Sequence, residues 1–171
     1  EEFSNNQKGY LIPIMKNLTL DYNKVTSMAI AGNSGSGKSY ALTYFLSMLK
    51  NISDLIIVDP KFDTPSRWAR ENGIAVLHPH KNRSKSDFVS EINENLSACL
   101  NLIQQRQEIL YDKPDHPFEH LTIVIDEVLA LSEGVNKTIK DSFFSLLSQI
   151  ALLGRATKVH LFLVSQRFDH T

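Results

Sequence analysis

Residues 27–39 decide the fold, and they read Ser27-Met28-Ala29-Ile30-Ala31 followed by Gly32-Asn33-Ser34-Gly35-Ser36-Gly37-Lys38-Ser39. The short apolar run that meets a glycine predicts a strand buried on both faces. The polar turn after it fits G-x-x-x-x-G-K-[ST] at every position and leads into a helical pattern. This arrangement is typical of a phosphate-binding loop. The alternative, a glycine- and serine-rich turn that matches by accident, does not account for the strand before it and the helix after it.

Each residue type in this loop has a physical role in holding a triphosphate. Glycines let the backbone turn tightly and bring its N–H groups up to phosphate oxygens. The positive end of the following helix attracts the same anion. We expect Lys38 to reach the β- and γ-phosphates and the Ser39 hydroxyl to bind Mg²⁺. The sequence therefore predicts binding of ATP with Mg²⁺ through Gly32, Asn33, Ser34, Gly35, Ser36, Gly37, Lys38, Ser39 and Tyr40.

Further strands and helices alternate along the chain. Strands are predicted at residues 54–59, 74–77, 121–126 and 159–164, and residues 10–20 read as an irregular or edge strand. Helices are predicted at residues 38–50, 88–110 and 135–153. The first is apolar nearly all round and should be well buried. The second has Ser86 or Asp87 as its expected N-cap, and the third should end at Gly154.

This alternation predicts an α/β fold with a mostly parallel sheet covered by helices on both faces. At 171 residues and 42% apolar composition the chain suits one compact domain. We expect residues 1–24 to form an N-terminal segment of the core and residues 25–171 the main domain. The start without methionine and the abrupt stop suggest a fragment whose C-terminal part is missing.

Charge and cysteine content set further bounds. The formal net charge is −1, so bulk charge neither favours nor excludes a nucleic-acid partner. Because Cys99 is the single cysteine, an internal disulfide is excluded, and the cytoplasm is the expected compartment. No apolar stretch reaches the length needed to span a bilayer. A membrane anchor could still lie outside this piece of the protein.

Two carboxylates follow the strand at residues 121–125. Asp126 emerges at its C-terminal end, where open α/β sheets bind their ligands, and an aspartate there can hold Mg²⁺ directly or through water. Glu127 is the candidate general base that activates a water molecule. The alternative is that both residues merely end a strand, and the presence of a phosphate loop in the same chain disfavours it. Gln166, after the last strand, could contact the γ-phosphate or the water.

Taken together, these features resemble the FtsK/SpoIIIE/HerA family of hexameric DNA-pumping ATPases. Three segments carry the resemblance: the strand that ends in Asp59-Pro60-Lys61, the strand that ends in Asp126-Glu127, and Arg155-Ala156 with His160-Leu161 running into Ser165-Gln166-Arg167. The resemblance covers roughly residues 25–168. Ser165 stands where the family usually has threonine, and Phe168 where proline is frequent. The spacer between the first two segments also looks shorter than in the chromosome-segregation members.

The resemblance implies a RecA-like core that assembles into a ring, hexameric as in the family, with a site at each interface. By position Arg155 is then the arginine that reaches the neighbour's γ-phosphate and stabilises the transition state. The alternative is a cation favoured by the end of a helix. The departures point to the coupling or transfer ATPases of conjugative elements, whose membrane-anchored region would then lie outside this piece.

Three functions follow as hypotheses. The first is an ATP-hydrolysing motor that translocates DNA, in DNA transfer or conjugation. The second is a secretion ATPase that moves protein substrates. The third is a nucleotide-dependent binding module without processive movement.

Other signals carry less weight. Lys81, Arg83 and Lys85 form a small basic loop near two histidines, which favours a solvated surface loop over a DNA contact. His116 and His120 have the spacing of helical zinc ligands, but Pro117 breaks such a helix.

Overall fold

The computed structural model describes residues 11–15, 18–21, 27–31 and 36–165, with side chains described at residues 27, 28 and 39–165. In chain order the elements are β1 (Leu11–Met15), β2 (Leu18–Asp21), β3 (Ser27–Ala31), α1 (Ser36–Lys50), β4 (Ser53–Val58), α2 (Thr64–Glu71), β5 (Val76–Leu77), α3 (Lys85–Asp112), β6 (His120–Ile125), a short 3₁₀ helix (Ala130–Ser132), α4 (Lys137–Thr157) and β7 (Val159–Ser165).

The main sheet has five strands in the order β3-β7-β6-β4-β5, and every neighbouring pair is parallel. The α/β class and the parallel sheet predicted from the sequence are therefore confirmed. Because parallel strands point the same way, the chain leaves β4, β5, β6 and β7 at one shared edge of the sheet. Below, this edge is called the carboxyl edge.

Helices cover both faces of this sheet. One core cluster combines buried side chains of α3 and α4, such as Ile92 and Phe143, with Ile123 and Ile125 of β6. The other core cluster combines Leu46 of α1 and other apolar side chains with Val124 of the same strand. Successive residues of β6 thus enter opposite cores, as the two-residue period of a strand requires.

The N-terminal strands form a second, separate sheet among the described residues. β1 pairs with β2 in antiparallel fashion, with Leu11 opposite Asp21 and Met15 opposite Leu18. A single irregular or edge strand was predicted there, and the structure has two short strands. Assignment of residues 1–24 to the core remains a prediction.

Exposure of α1 differs from the sequence prediction. A helix that is apolar nearly all round was expected to be well buried, yet Tyr40 is 79% exposed and Tyr44 41% exposed. Leu42, Leu46 and Leu49 are buried on the other face. The two tyrosines lie one turn apart, so α1 presents an aromatic stripe to the outside.

The start of α3 and the end of α4 differ from the sequence prediction. The N-cap of α3 is Ser84 rather than Ser86 or Asp87, and its Oγ accepts a hydrogen bond of 3.0 Å from the Asp87 N–H. Asp87 returns the interaction by accepting from the Ser84 N–H, which completes a capping box.

The C-terminal end of α4 is not at Gly154, where the sequence predicted it. Gly154 is buried within the helix, which runs to Thr157. Lys158 takes the left-handed conformation that ends the helix, with φ of 62°. A non-glycine residue can adopt this conformation when its N–H binds the last turn, and the Lys158 N–H donates to the Arg155 carbonyl.

No helix among the described parts of the chain is both long and apolar enough to cross a membrane.

Candidate functional site

Asp126 is fixed at the carboxyl edge between two strands. It follows β6 directly, is only 6% exposed, and its N–H donates to the Val58 carbonyl of β4 at 3.0 Å. Its Oδ1 accepts a hydrogen bond of 3.0 Å from the Glu127 N–H. The backbone therefore orients this carboxylate without a flexible loop in between.

The chain turns sharply at Glu127. This residue has φ of 52°, in the left-handed region that non-glycine residues rarely adopt. The next residue, Val128, donates its N–H to the Val164 carbonyl of β7 at 3.1 Å. The segment is thus tied to β4 on one side, through Asp126, and to β7 on the other. Glu127 itself is 7% exposed.

The Glu127 carboxylate forms an ion pair with Lys61, which lies in the turn after β4. The Lys61 Nζ lies 3.3 Å from Glu127 Oε2, and the two side chains are 53% and 9% exposed. Lys61 belongs to the Asp59-Pro60-Lys61 segment noted in the sequence, but its ion pair with Glu127 was not predicted. The pairing depends on β4 lying beside β6, which the separate motifs do not reveal.

Asp59 organises the turn that carries Lys61. It is fully buried, and its Oδ1 accepts from the Lys61 N–H at 3.1 Å. Its Oδ2 accepts from the N–H of Asp63 and from both the N–H and the hydroxyl of Ser66. Four hydrogen bonds to one carboxylate indicate a structural role for Asp59 in shaping this loop.

Phe62, within the same turn, shares the backbone conformation of Glu127. Its φ is also 52°, and its side chain is 60% exposed.

A cavity of about 430 Å³ opens beside Glu127. Its charged lining comes from Lys61, Arg83, Lys85 and Glu127, and its apolar floor includes Phe88. The Lys85 Nζ donates to the carbonyls of Ala130 and Glu133, each at 2.6 Å. Lys85 therefore ties the start of α3 to the segment that follows Glu127.

The remaining predicted nucleotide ligands are described only in part. Gly32, Asn33, Ser34 and Gly35 lie outside the described residues, as does Gln166. Ser36, Gly37 and Lys38 form the first turn of α1, and their side chains also lie outside the described set. Ser39 is half-buried, and its carbonyl accepts from the Thr43 hydroxyl at 2.9 Å. Their roles in binding stay predictions.

The donor set suits a hard cation that is shared with a nucleotide. Asp126 offers carboxylate oxygens, which Mg²⁺ prefers, and a metal bound there would complete its shell with phosphate oxygens and water. Among the described residues no group of three or more His, Cys, Asp or Glu side chains is placed to hold a metal by itself. With the Asp126 carboxylate at this position, the residues present fit a magnesium ion that is shared with a bound nucleotide.

Arg155 lies at the opposite end of the sheet. It is exposed on the last turn of α4, just before β7 begins at Val159. Ser165 marks the carboxyl end of β7, about 20 Å away at the usual rise of a strand. Arg155 is therefore too far from Asp126 and Glu127 to act on a nucleotide in its own subunit.

His120 and His160 are partners across two strands. Their rings stack with centroids 4.8 Å apart, and His120 Nδ1 lies 2.6 Å from His160 Nε2. Both residues are buried. This contact places His120 against β7, whereas His116 is exposed and packs against Phe118.

Comparison with known proteins identifies the family. A model of the AAA domain matches residues 23–169. The chain belongs to the AAA domain family. It is 29% identical over 154 residues to the protein Tra of Streptomyces lividans, covering 82% of this chain and 24% of Tra. It is 25% identical over 174 residues to the DNA translocase FtsK of Staphylococcus aureus, covering 88% of this chain and 21% of FtsK.

Solved structures share the fold of this AAA domain. The monomer form of the pCW3 conjugation coupling protein TcpA, solved with ATPγS, superposes with a TM-score of 0.67 at 22% identity, covering 89% of this chain and 46% of TcpA. The type VII secretion ATPase EccC of Thermomonospora curvata superposes with a TM-score of 0.62 at 24% identity, covering 89% of this chain and 20% of EccC.

These matches confirm the resemblance to FtsK-type ATPases and the P-loop ATPase fold expected from the sequence. The chain spans less than a quarter of the length of Tra and of FtsK.

Proposed function

We propose that this AAA domain binds ATP with Mg²⁺ and hydrolyses it to drive the translocation of DNA. The single observation that carries the proposal is the joint position of Asp126 and Glu127 at the carboxyl edge, on the same sheet as the strand that leads into the phosphate loop. β6 lies two strands from β3, which is about 10 Å at the usual strand spacing. A triphosphate with its metal is large enough to bridge that distance.

Each residue has one role in this proposal. The backbone of residues 32–37 and the Lys38 ammonium hold the phosphates, and Ser39 and Asp126 hold Mg²⁺. The metal, when bound, neutralises charge that develops on the β- and γ-phosphate oxygens. Glu127 accepts a proton from the water that attacks the γ-phosphorus, and Gln166 orients that water or senses the γ-phosphate. Burial of Glu127 supports this role because a base shielded from solvent meets few competing waters.

Arg155 completes the site of a neighbouring subunit. Its exposure and its position at the far end of the sheet favour action in trans, since it cannot reach the nucleotide of its own subunit. A ring of subunits, hexameric as in the resembled family, follows from a head-to-tail contact that closes.

The names of two matched proteins bear on the substrate. FtsK is named a DNA translocase, and TcpA is named a conjugation coupling protein. They favour DNA, in transfer or conjugation. We further propose a cytoplasmic location in a membrane-associated protein.

A secretion ATPase is the second candidate, and the similarity to EccC favours it specifically. A binding module that senses ATP without processive movement is the third. Both retain the phosphate loop and differ in what stimulates turnover.

The deciding experiment measures ATP hydrolysis with Mg²⁺, in the presence of DNA and in the presence of unfolded polypeptide. DNA-stimulated release of phosphate that disappears in the Lys38→Ala variant is the expected result. Stimulation by polypeptide and not by DNA would show that the secretion alternative is correct. Nucleotide binding without turnover under any of these conditions would leave only the binding module.

A further inference from the structure

An exposed aromatic pair lies at the carboxyl edge, outside the residues assigned to hydrolysis. The rings of Phe62 and His78 stack with centroids 4.0 Å apart and planes 20° apart. The His80 ring lies 5.0 Å from that of His78. Phe62 is 60% exposed although it is a large apolar side chain, so its ring contributes little to the core. A cluster of exposed rings, unlike a single exposed ring, is typical of a contact surface.

The chain neighbours of this pair line the 430 Å³ cavity. Lys61 precedes Phe62 and Pro79 follows His78, and both face the cavity together with Arg83. Consecutive Cα atoms are 3.8 Å apart, so stack and cavity adjoin. The aromatic face and the charged mouth of the cavity thus form one surface, here called the stacking surface and defined as Lys61, Phe62, His78, His80, Lys81 and Arg83.

The charge balance of the stacking surface is positive. Asp63, beside Phe62, pairs with Arg67 at 2.9 Å. Neither Lys81 nor Arg83 forms an ion pair with any residue that the structure describes, and both are exposed. Two cations are therefore available to an anionic ligand next to an open aromatic ring.

We propose that the stacking surface binds single-stranded nucleic acid. A base stacks on the exposed side of Phe62, and the adjoining phosphate contacts Arg83 and Lys81, because Lys61 already pairs with Glu127. Aromatic rings interleaved with cations are the usual means of holding an unpaired strand, whose bases expose their faces. A duplex hides those faces and offers only phosphates. From the sequence alone, residues 81–85 were expected to form a solvated loop, because the sequence does not reveal that Lys61 and Phe62 lie beside them.

This inference rests on the proposed function, since it names the part of the motor that touches its polymer. The inference and the proposed function nevertheless have separate requirements. The stacking surface needs no ATP, and hydrolysis needs no Phe62.

Fluorescence anisotropy with a labelled oligothymidylate of about 20 nucleotides at low salt tests the aromatic contact. Phe62→Ala should weaken binding about 5- to 150-fold, the range for loss of one base–aromatic stack. Phe62→Trp should retain or strengthen it. Tyr111→Ala is the matched control, because Tyr111 is an exposed ring (89%) at the far end of α3 and should leave affinity unchanged.

Salt dependence tests the phosphate contact. Arg83→Gln should lower the slope of log affinity against log salt concentration by about 0.7, the value for one phosphate of a single strand. Arg70→Gln removes an exposed cation from α2 and should leave the slope unchanged.

Three outcomes would overturn the inference: no binding of the oligonucleotide by the parent chain, equal loss in Phe62→Ala for single strand and duplex, or equal loss in Tyr111→Ala. The same variants are assayed for ATP hydrolysis. A parent chain that hydrolyses no ATP but binds the oligonucleotide through Phe62 contradicts the proposed function and leaves the inference intact. A parent chain that hydrolyses ATP but binds the oligonucleotide equally well after Phe62→Ala contradicts the inference and leaves the proposed function intact.

Discussion

The ammonium group of Lys61 lies 3.3 Å from Oε2 of Glu127, so the carboxylate proposed as the general base is held by a cation from the adjacent strand. An ammonium group at this distance competes with the attacking water for the carboxylate oxygen. The ion pair therefore restrains hydrolysis as long as it persists.

Removal of this restraint should raise turnover. Lys61→Met keeps the length of the side chain and removes its charge, and ATP hydrolysis without DNA should rise about fivefold, as expected for loss of roughly 1 kcal/mol of pairing at a half-exposed site. Steady-state phosphate release measures this. Lys61→Arg retains the charge and should behave like the parent. A fall in turnover would mean that Lys61 positions Glu127 for catalysis.

Glu127→Gln should separate nucleotide binding from hydrolysis. The amide keeps the size of the side chain and cannot accept the proton, so turnover should fall by about 10²- to 10⁴-fold. Affinity for a fluorescent ATP analogue should stay within about twofold, because the proposed phosphate contacts lie elsewhere. Undiminished turnover would remove Glu127 from the role of base.

Arg155 should act on the neighbouring subunit. Arg155→Ala should lower turnover in assembled protein, by up to about 10³-fold if the arginine stabilises the transition state. When Arg155→Ala and Glu127→Gln subunits are mixed equally, each site draws Glu127 from one subunit and Arg155 from the next, each intact in half of cases. About a quarter of the parent turnover should return. A mixture as inactive as its components would contradict action in trans.

Asp59 should be needed for the fold of its loop. Asp59→Ala leaves the N–H groups of Lys61, Asp63 and Ser66 and the Ser66 hydroxyl without their acceptor, and the free energy of unfolding should fall by about 3 kcal/mol. Urea denaturation followed by circular dichroism measures the loss. Asp115→Asn changes an exposed carboxylate and should have no measurable effect.

Cys99 should stay inert in the folded chain. Burial raises the pKa of its thiol from 9.0 to about 11, so the reactive thiolate is scarce at pH 8. Labelling by a disulfide reagent should be slow until denaturant unfolds the chain.

The same shift makes stability depend on pH in the alkaline range. Between pH 9 and 11 the unfolded thiol ionises and the folded thiol does not. Stability should therefore be intact below pH 9 and fall as pH rises towards 11, by up to about 1.4 kcal/mol per unit. Cys99→Ala should lose this component of the pH dependence, and a parent curve identical to that of the variant would contradict it.

Strong local patterns predicted most of the fold. β6 and β7 are short, mostly apolar runs that are followed or ended by polar residues, and such runs have few alternatives to a buried parallel strand. Helix ends were harder. Ser84, Ser86 and Asp87 are all competent caps, and in the structure Ser84 is the cap because it forms a capping box with Asp87. Gly154 resembled a helix stop because the left-handed cap at Lys158 has no sequence signature.

The candidate site was predictable only within each motif. Asp126 and Glu127 follow from one strand end, and the structure adds how firmly they are held. The contact of Glu127 with Lys61 and the stack of Phe62 on His78 join segments far apart in the chain. Such contacts depend on strand order, which the apolar pattern of separate strands does not encode.

Phe62 and Glu127 leave neighbouring strands with the same left-handed φ of 52°. Each such residue costs roughly 1–2 kcal/mol relative to glycine. A protein engineer who sought only thermostability would replace both, since glycine or asparagine relieves the strain. Those substitutions would remove the exposed ring at one turn and the buried carboxylate at the other. With the roles proposed for these two side chains, both turns favour activity over stability, and heat-stable variants selected without an activity screen should accumulate losses at these positions first.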